Sequence, residues 1–169
     1  MSRAWPPAYN QIAVEPRIQG NLQLMTHGDP PRILVAEDDD SLRRLLELRL
    51  ASDGFDVRCA EDGMEALEIV IKGWLPDAVV CDVMMPRLSG LSVSRELRAQ
   101  AKTASVPIIL LTARNFDEDI QAVMDLGGIT YMGKPFEFAH LLKMLWSAVG
   151  LEQPGNAAAT RVISGASQS

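Results

Sequence analysis

Only two histidines and two cysteines occur in the 169 residues of this chain. His27 and His140 lie far apart and in different kinds of segment, which argues against a zinc site. Cys59 and Cys81 both fall in apolar, strand-like stretches and read as reduced core thiols rather than a disulfide pair. No apolar run approaches the roughly 20 residues that cross a bilayer, so no membrane insertion is expected. Met1 to Asn10 lacks the basic start and apolar centre of a secretory signal, and a cytoplasmic location follows as the expectation. Basic residues are outnumbered 22 to 16 by acidic ones, and a net charge of −6 offers no electrostatic footprint for nucleic acid or an anionic membrane.

What remains is enough for one core. A hydrophobic content of 47% fits a single domain with tails. Residues 1–31 carry five prolines without sustained period and read as a flexible N-terminal extension. Residues 32–150 alternate short apolar runs with amphipathic ones, and residues 151–169, rich in Ala, Ser and Gly, read as a disordered tail. The apolar runs are Arg32 to Ala36, Phe55 to Cys59, Ala78 to Cys81, Val106 to Leu111 and Thr130 to Lys134. Helical spacing appears over Ser41 to Asp53, from Gly63 through Lys72, and over Leu91 to Gln100, Asp117 to Leu126 and Glu137 to Val149. In the first of these Leu42, Leu45, Leu46 and Leu50 share a face, with Asp40 or Ser41 as N-cap and Gly54 at the close. Five strands alternating with five helices predict an α/β fold, a doubly wound parallel sheet with helices on both faces.

The stretch Ala78-Val79-Val80-Cys81-Asp82 is the centre of that pattern, an unbroken apolar run ending in a carboxylate. Taken alone, Asp82 could be a turn or capping residue. Glu37 and Asp38 follow the first apolar run, however, Thr112 the fourth, and Lys134 closes the fifth. In a parallel sheet these groups converge on one edge, where such sheets bind ligands. Crowded carboxylates repel unless a cation neutralises them, and an oxygen-only donor set points to Mg²⁺. A lysine and a hydroxyl beside that ion suit the oxygens of a phosphoryl group.

Several segments resemble the response-regulator receiver domains of two-component signalling. They are Ile33-Leu34-Val35-Ala36-Glu37-Asp38-Asp39, Ala60-Glu61-Asp62-Gly63-Met64-Glu65-Ala66-Leu67, Asp82-Val83-Met84-Met85-Pro86-Arg87-Leu88-Ser89-Gly90, Leu110-Leu111-Thr112-Ala113-Arg114 and Tyr131-Met132-Gly133-Lys134-Pro135-Phe136. The resemblance covers roughly Arg32 to Gly150 and implies a flavodoxin-like strand order 2-1-3-4-5. It further implies that Asp82 accepts a phosphoryl group from a phosphohistidine. Mg²⁺ would be held by Asp38, Asp82, the backbone carbonyl of Met84 and, directly or through water, Glu37. Lys134 and Thr112 would bind the phosphoryl oxygens, and Thr112 and Tyr131 would form the switch, Tyr131 turning inward. The implied partners are a sensor histidine kinase or histidine phosphotransfer protein and, at the fourth helix, fifth strand and fifth helix, a downstream protein or a second copy of the chain. Met84 and Arg114 resemble the pairing of long-lived members, implying slow self-dephosphorylation.

Each of these residues has a plainer alternative. Asp38 could cap the first helix, Lys134 could be a solvated cation, Thr112 could satisfy backbone, and Tyr131 could be a half-buried strand residue. An apolar Ile129 before the aromatic position is a departure from the family, either a partner contact or packing. Nothing after Val149 is patterned as a helix-turn-helix or catalytic output, so a stand-alone receiver is expected, acting as a switch or passing phosphate onward in a phosphorelay. Beyond self-phosphorylation and its reversal no enzymatic activity is expected. A hydrolase of the haloacid dehalogenase kind would want a second acid where Met84 stands, and a dinucleotide binder would want a Gly-rich first turn in place of Glu37 to Asp40.

Overall fold

The structure is a computed structural model that describes residues 29–113 and 118–152. The expected extension and tail therefore lie largely outside the described residues, as do Arg114 and Asp117. Five strands, β1 (Arg32–Ala36), β2 (Asp56–Ala60), β3 (Ala78–Asp82), β4 (Ile108–Thr112) and β5 (Ile129–Gly133), pair in parallel in the order β2-β1-β3-β4-β5. Between and after them run α1 (Asp40–Ser52), α2 (Gly63–Ile71), α3 (Gly90–Ala99), α4 (Glu118–Met124) and α5 (Phe138–Ala148). The expected fold class and strand order are both present.

The absence of alternation in the central strands has a direct cause. Val79 and Cys81 of β3 point into one core with Leu34 and Ala36 of β1, Leu110 of β4, and Ala66, Val70, Leu97, Ile120 and Val123 of α2, α3 and α4. Val80 and Ala78 point the other way, with Ile33, Val35, Ile109, Leu111 and Leu46, Leu50, Leu141 and Leu145 of α1 and α5. A strand covered on both faces must be apolar at every position. Each large side chain so buried contributes roughly 1.5–3 kcal/mol of transfer free energy. Phe55 and Trp146 stack in the second core with ring centroids 4.3 Å apart.

Five expectations are corrected. The N-cap of α1 is Asp39, whose carboxylate accepts from the Leu42 amide at 2.7 Å, so the helix begins at Asp40. Leu45 is half exposed, because the buried seam of α1 runs at four-residue spacing through Leu42, Leu46 and Leu50, leaving Leu45 to one side. Phe55 precedes β2 because its amide closes α1 on the Leu50 carbonyl, and β2 ends one residue later than expected, at Ala60. The Val106 amide bonds the Thr103 carbonyl and Pro107 has no amide to give, which delays β4 to Ile108. Ile129 opens β5, one residue before the expected start, and is buried in the first core, so of its two readings packing is the one observed.

Candidate functional site

Between β1 and β3 the chain reverses its direction of travel across the sheet, and the carboxyl ends of the strands there leave a crevice. Three side chains enter it from residues distant in sequence. Glu37, just past β1, is 1% exposed; Asp82, the last residue of β3, is 6% exposed; Asp38 stands beside them in solvent. One carboxylate oxygen from each lies within 4.8 Å of the others. Lys134, following β5, closes the group from the far side: its Nζ donates to Asp82 Oδ2 at 2.6 Å and to Glu37 Oε2 at 2.8 Å.

The backbone holds these groups in place. The Glu37 amide continues the ladder onto the Ala60 carbonyl at 3.1 Å, and the Lys134 amide donates to the Thr112 carbonyl at 2.7 Å. The Met84 amide donates to Asp82 Oδ1 at 2.9 Å, leaving Oδ2 to Lys134. The Asp39 amide reaches Glu37 Oε1 at 3.3 Å. Thr112, at the end of β4 and 1% exposed, pairs in register with Gly133, so it borders the same edge.

Charge in this crevice is finely opposed. Burial pushes the Glu37 carboxyl above its ordinary value; the Lys134 hydrogen bond lowers it, while the neighbouring Asp82 charge pushes it up again. For Lys134 burial favours the neutral amine, yet hydrogen bonds and attraction from Asp82 and Glu37 outweigh it and the ammonium is held above its usual value. One lysine thus answers two buried carboxylates, and Asp38 adds a third. A donor set of carboxylate oxygens only, with negative charge in excess, fits a hard divalent cation such as Mg²⁺ and offers nothing to a soft one.

Most residues expected from sequence meet here. Glu37, Asp38, Asp82, Lys134 and Thr112 share one edge. Met84 adjoins them through its amide, and its side chain is 59% exposed at the mouth of an open cleft also bordered by Leu91, Arg95 and Asp119. Tyr131 lies on β5 two residues before Gly133 and is 42% exposed, on the solvent side of an edge strand. Arg114 lies outside the described residues.

Two arginines were missed. Arg43 on α1 donates to the Glu37 carbonyl at 2.7 Å and the Asp38 carbonyl at 3.3 Å, bracing the acidic turn from behind. Its place one turn into the helix after an acidic run was the available signal. Arg87, in the loop between β3 and α3, pairs with Asp62, the buried N-cap of α2. No spacing rule joins residues 25 apart in different loops, so nothing in the sequence pointed to it.

A parallel sheet of this order with an acid triad and a lysine at its switch point is the architecture of a response-regulator receiver domain. Residues 33–146 match the response regulator receiver domain family, and the chain belongs to that family. Among curated relatives, response regulator MprA of Mycobacterium sp. (strain KMS) is 45% identical over 113 residues, 67% of this chain and 48% of that protein. The chain spans about half the length of the curated relatives it matches. Among solved structures, the Francisella response regulator 1452 receiver domain superposes with a TM-score of 0.64 at 32% identity, covering 71% of this chain and 97% of that one. The receiver domain of sensor histidine kinase PA1611 from Pseudomonas aeruginosa PAO1, described with a magnesium ion coordinated in its active site cleft, gives 0.63 at 34% identity, covering 72% and 98%. Among the described residues, no helix is long and apolar enough to cross a membrane.

Proposed function

We propose that Asp82 is a phosphoacceptor, loaded from a phosphohistidine of a sensor histidine kinase or histidine phosphotransfer protein, and that this loading is read by a protein partner or a second copy of the chain. The observation that carries this reading is the Lys134 ammonium shared between Asp82 and Glu37, with Asp38 completing an acidic cluster. Glu37, Asp38, Asp82 and the Met84 carbonyl would hold Mg²⁺, which when bound supplies charge neutralisation to the transferring phosphoryl group.

The chain's own groups account for the rest. An Asp82 oxygen attacks phosphorus in line, the P–N bond breaks, and the imidazole leaves to take a proton. Lys134, already beside Asp82, moves its ammonium from carboxylate to phosphoryl oxygens as negative charge shifts outward. Thr112 offers its hydroxyl to the same oxygens from the end of β4. Tyr131 and Leu126 give the α4, β5 and α5 side exposed apolar surface for a partner. Self-phosphorylation and slow hydrolysis, tuned by Met84 and Arg114, would be the extent of its catalysis.

The test is intact mass after incubation with acetyl phosphate and Mg²⁺, beside Asp82→Asn and metal-free controls. A single phosphoryl adduct requiring both Asp82 and the metal is the expected result. An adduct that survives D82N, or none in any condition alongside an absence of Mg²⁺ binding, overturns the reading.

A further inference from the structure

We infer that Arg87 is a positioning residue for the Asp82 carboxylate, acting through a latch that ties the loop after β3 to the first turn of α2; the inference rests on the reading of Asp82 as a metal-dependent phosphoacceptor. Arg87 is the one non-glycine residue with positive φ among the described residues, at 63°, a backbone conformation unfavourable to any side chain with a Cβ. Its guanidinium is engaged by Asp62 through both Nε and Nη2, with Glu61 3.7 Å away. Asp62 is no surface acid: it is 2% exposed and its other oxygen caps α2, accepting from the Met64 amide at 2.8 Å and the Glu65 amide at 3.0 Å. A fork on a buried, doubly capped carboxylate fixes direction as well as distance.

A second contact makes the same join independently. A Cβ built on Gly63 would come within 2.3 Å of the Leu88 carbonyl oxygen, so the loop backbone rests directly on the start of α2. Within the loop, the Leu88 amide bonds the Pro86 carbonyl at 2.7 Å and the Gly90 amide bonds the Val83 carbonyl at 3.1 Å. Arg87 thereby anchors a short, internally bonded loop at its outer end, while its inner end supplies the Met84 amide to Asp82 Oδ1. Releasing the outer end frees Met84 to drift, and with it the carboxylate oxygen left for metal and phosphorus. Positioning of a reacting oxygen is the kind of effect a remote anchor exerts.

The experiment compares wild type with Arg87→Ala and Arg87→Lys, and with Lys72→Ala as a control for loss of an exposed surface charge pair. Solvent exchange of the Met84 amide by NMR is measured relative to that of Val80 in the centre of β3, so that global destabilisation cancels. The Mg²⁺ dissociation constant is measured on the same unphosphorylated samples. R87A is expected to raise relative Met84 exchange at least ten-fold and weaken Mg²⁺ binding at least five-fold, R87K to recover part of both, and K72A to change neither. Relative Met84 exchange within two-fold of wild type in R87A overturns the inference, as does acceleration of Met84 and Val80 together. If wild type binds no Mg²⁺ the phosphoacceptor reading fails on its own account, and the amide comparison alone still decides whether Arg87 positions the loop.

Discussion

Lys134 Nζ sits 2.6 Å from Asp82 across a separation of 52 residues, and the same ammonium is 2.8 Å from Glu37. Two largely buried carboxylates are thus held together by one partly buried cation. Removing the cation leaves two largely buried like charges facing each other. Lys134→Ala is expected to destabilise the metal-free protein by about 3 kcal/mol, the low end of the range for breaking a buried pair because the lysine is partly solvated. Asp82→Asn removes one of the two repelling charges and leaves Lys134 on Glu37, so its cost should be clearly smaller. Urea unfolding of both variants in a chelator checks the order, and a D82N cost equal to that of K134A would contradict it.

Metal dependence should separate from stability at Asp38. That side chain is in solvent, so Asp38→Asn in chelator is expected to shift stability by under about 0.5 kcal/mol. Its oxygen nevertheless lies within 4.8 Å of the Glu37 and Asp82 oxygens. Wild type should therefore be stabilised by added Mg²⁺, by about 2.7 kcal/mol at one hundred times the dissociation constant and read as a rise in melting temperature, while D38N gains little. A full Mg²⁺ increment in D38N would remove Asp38 from the ligand set.

Acid should loosen the join between the β3–α3 loop and α2. Burial alone would raise the Asp62 carboxyl, but hydrogen bonds from the Glu65 amide and Arg87, with the Arg87 charge and the Met64 amide, hold it below its ordinary value. A group depressed in the folded state contributes stability that is fully present above its unfolded value, near pH 4, and lost as pH falls through the folded one. Replacing it by Asn keeps a capping oxygen and abolishes the titration. Asp62→Asn should thus flatten the acid limb of the stability profile below about pH 4, measured by thermal melts from pH 2 to 7. An unchanged limb would mean that Asp62 is not held low.

Neither thiol should be reactive in the folded protein. Burial, with Glu47 nearby, pushes Cys59 up to about 12, and burial pushes Cys81 higher still with Asp82 and Glu37 adding to it. At pH 8 roughly one Cys59 in ten thousand is then thiolate, and the thiolate is the nucleophile. Labelling with an aromatic disulfide reagent is expected to be negligible without urea and to reach both cysteines with it. Prompt labelling of native Cys59 would show its strand to be more open than described.

What the sequence disclosed and what it hid divide along physical lines. Unbroken apolar runs, ending in acids at β1 and β3 and in Thr112 at β4, disclosed those three strands and the edge on which Glu37, Asp38 and Asp82 meet, because burial on both faces leaves a strand interior no polar position. Strand order was not in the periodicity and came with the family motifs. The N-cap of α1, expected at Asp40 or Ser41, lies one or two residues earlier at Asp39, because the acids from Glu37 to Asp40 all suit a cap and only the Leu42 amide chooses between them. Trp146, 2% exposed, falls four residues after Leu142 and lies on the same buried face of α5 as Leu141 and Leu145. Asp62 with Arg87 depends on how two loops meet in space, and no local pattern encodes that, whereas Arg43 is only six residues from the Glu37 carbonyl it holds and was within local reach.

Gly90 tests how tightly that edge is built. It opens α3 after the Ser89 cap without an unusual backbone angle, so its requirement is for space. A Cβ there would lie 2.2 Å from the Asp82 carbonyl oxygen and 3.0 Å from Cys81 Sγ. The oxygen is backbone at the end of a central strand, fixed by the ladder to β4 on one side, and cannot step aside as a flexible side chain would. Gly90→Ala should therefore push α3 and the end of β3 apart, at a cost of at least roughly 1–3 kcal/mol, the range for overpacking a close-packed core. Because the displaced atom belongs to Asp82 itself, the damage should reach the site: the gain in melting temperature with Mg²⁺ should fall together with the urea midpoint. Loss of stability with an intact Mg²⁺ increment would show that the helix yields and the strand end does not.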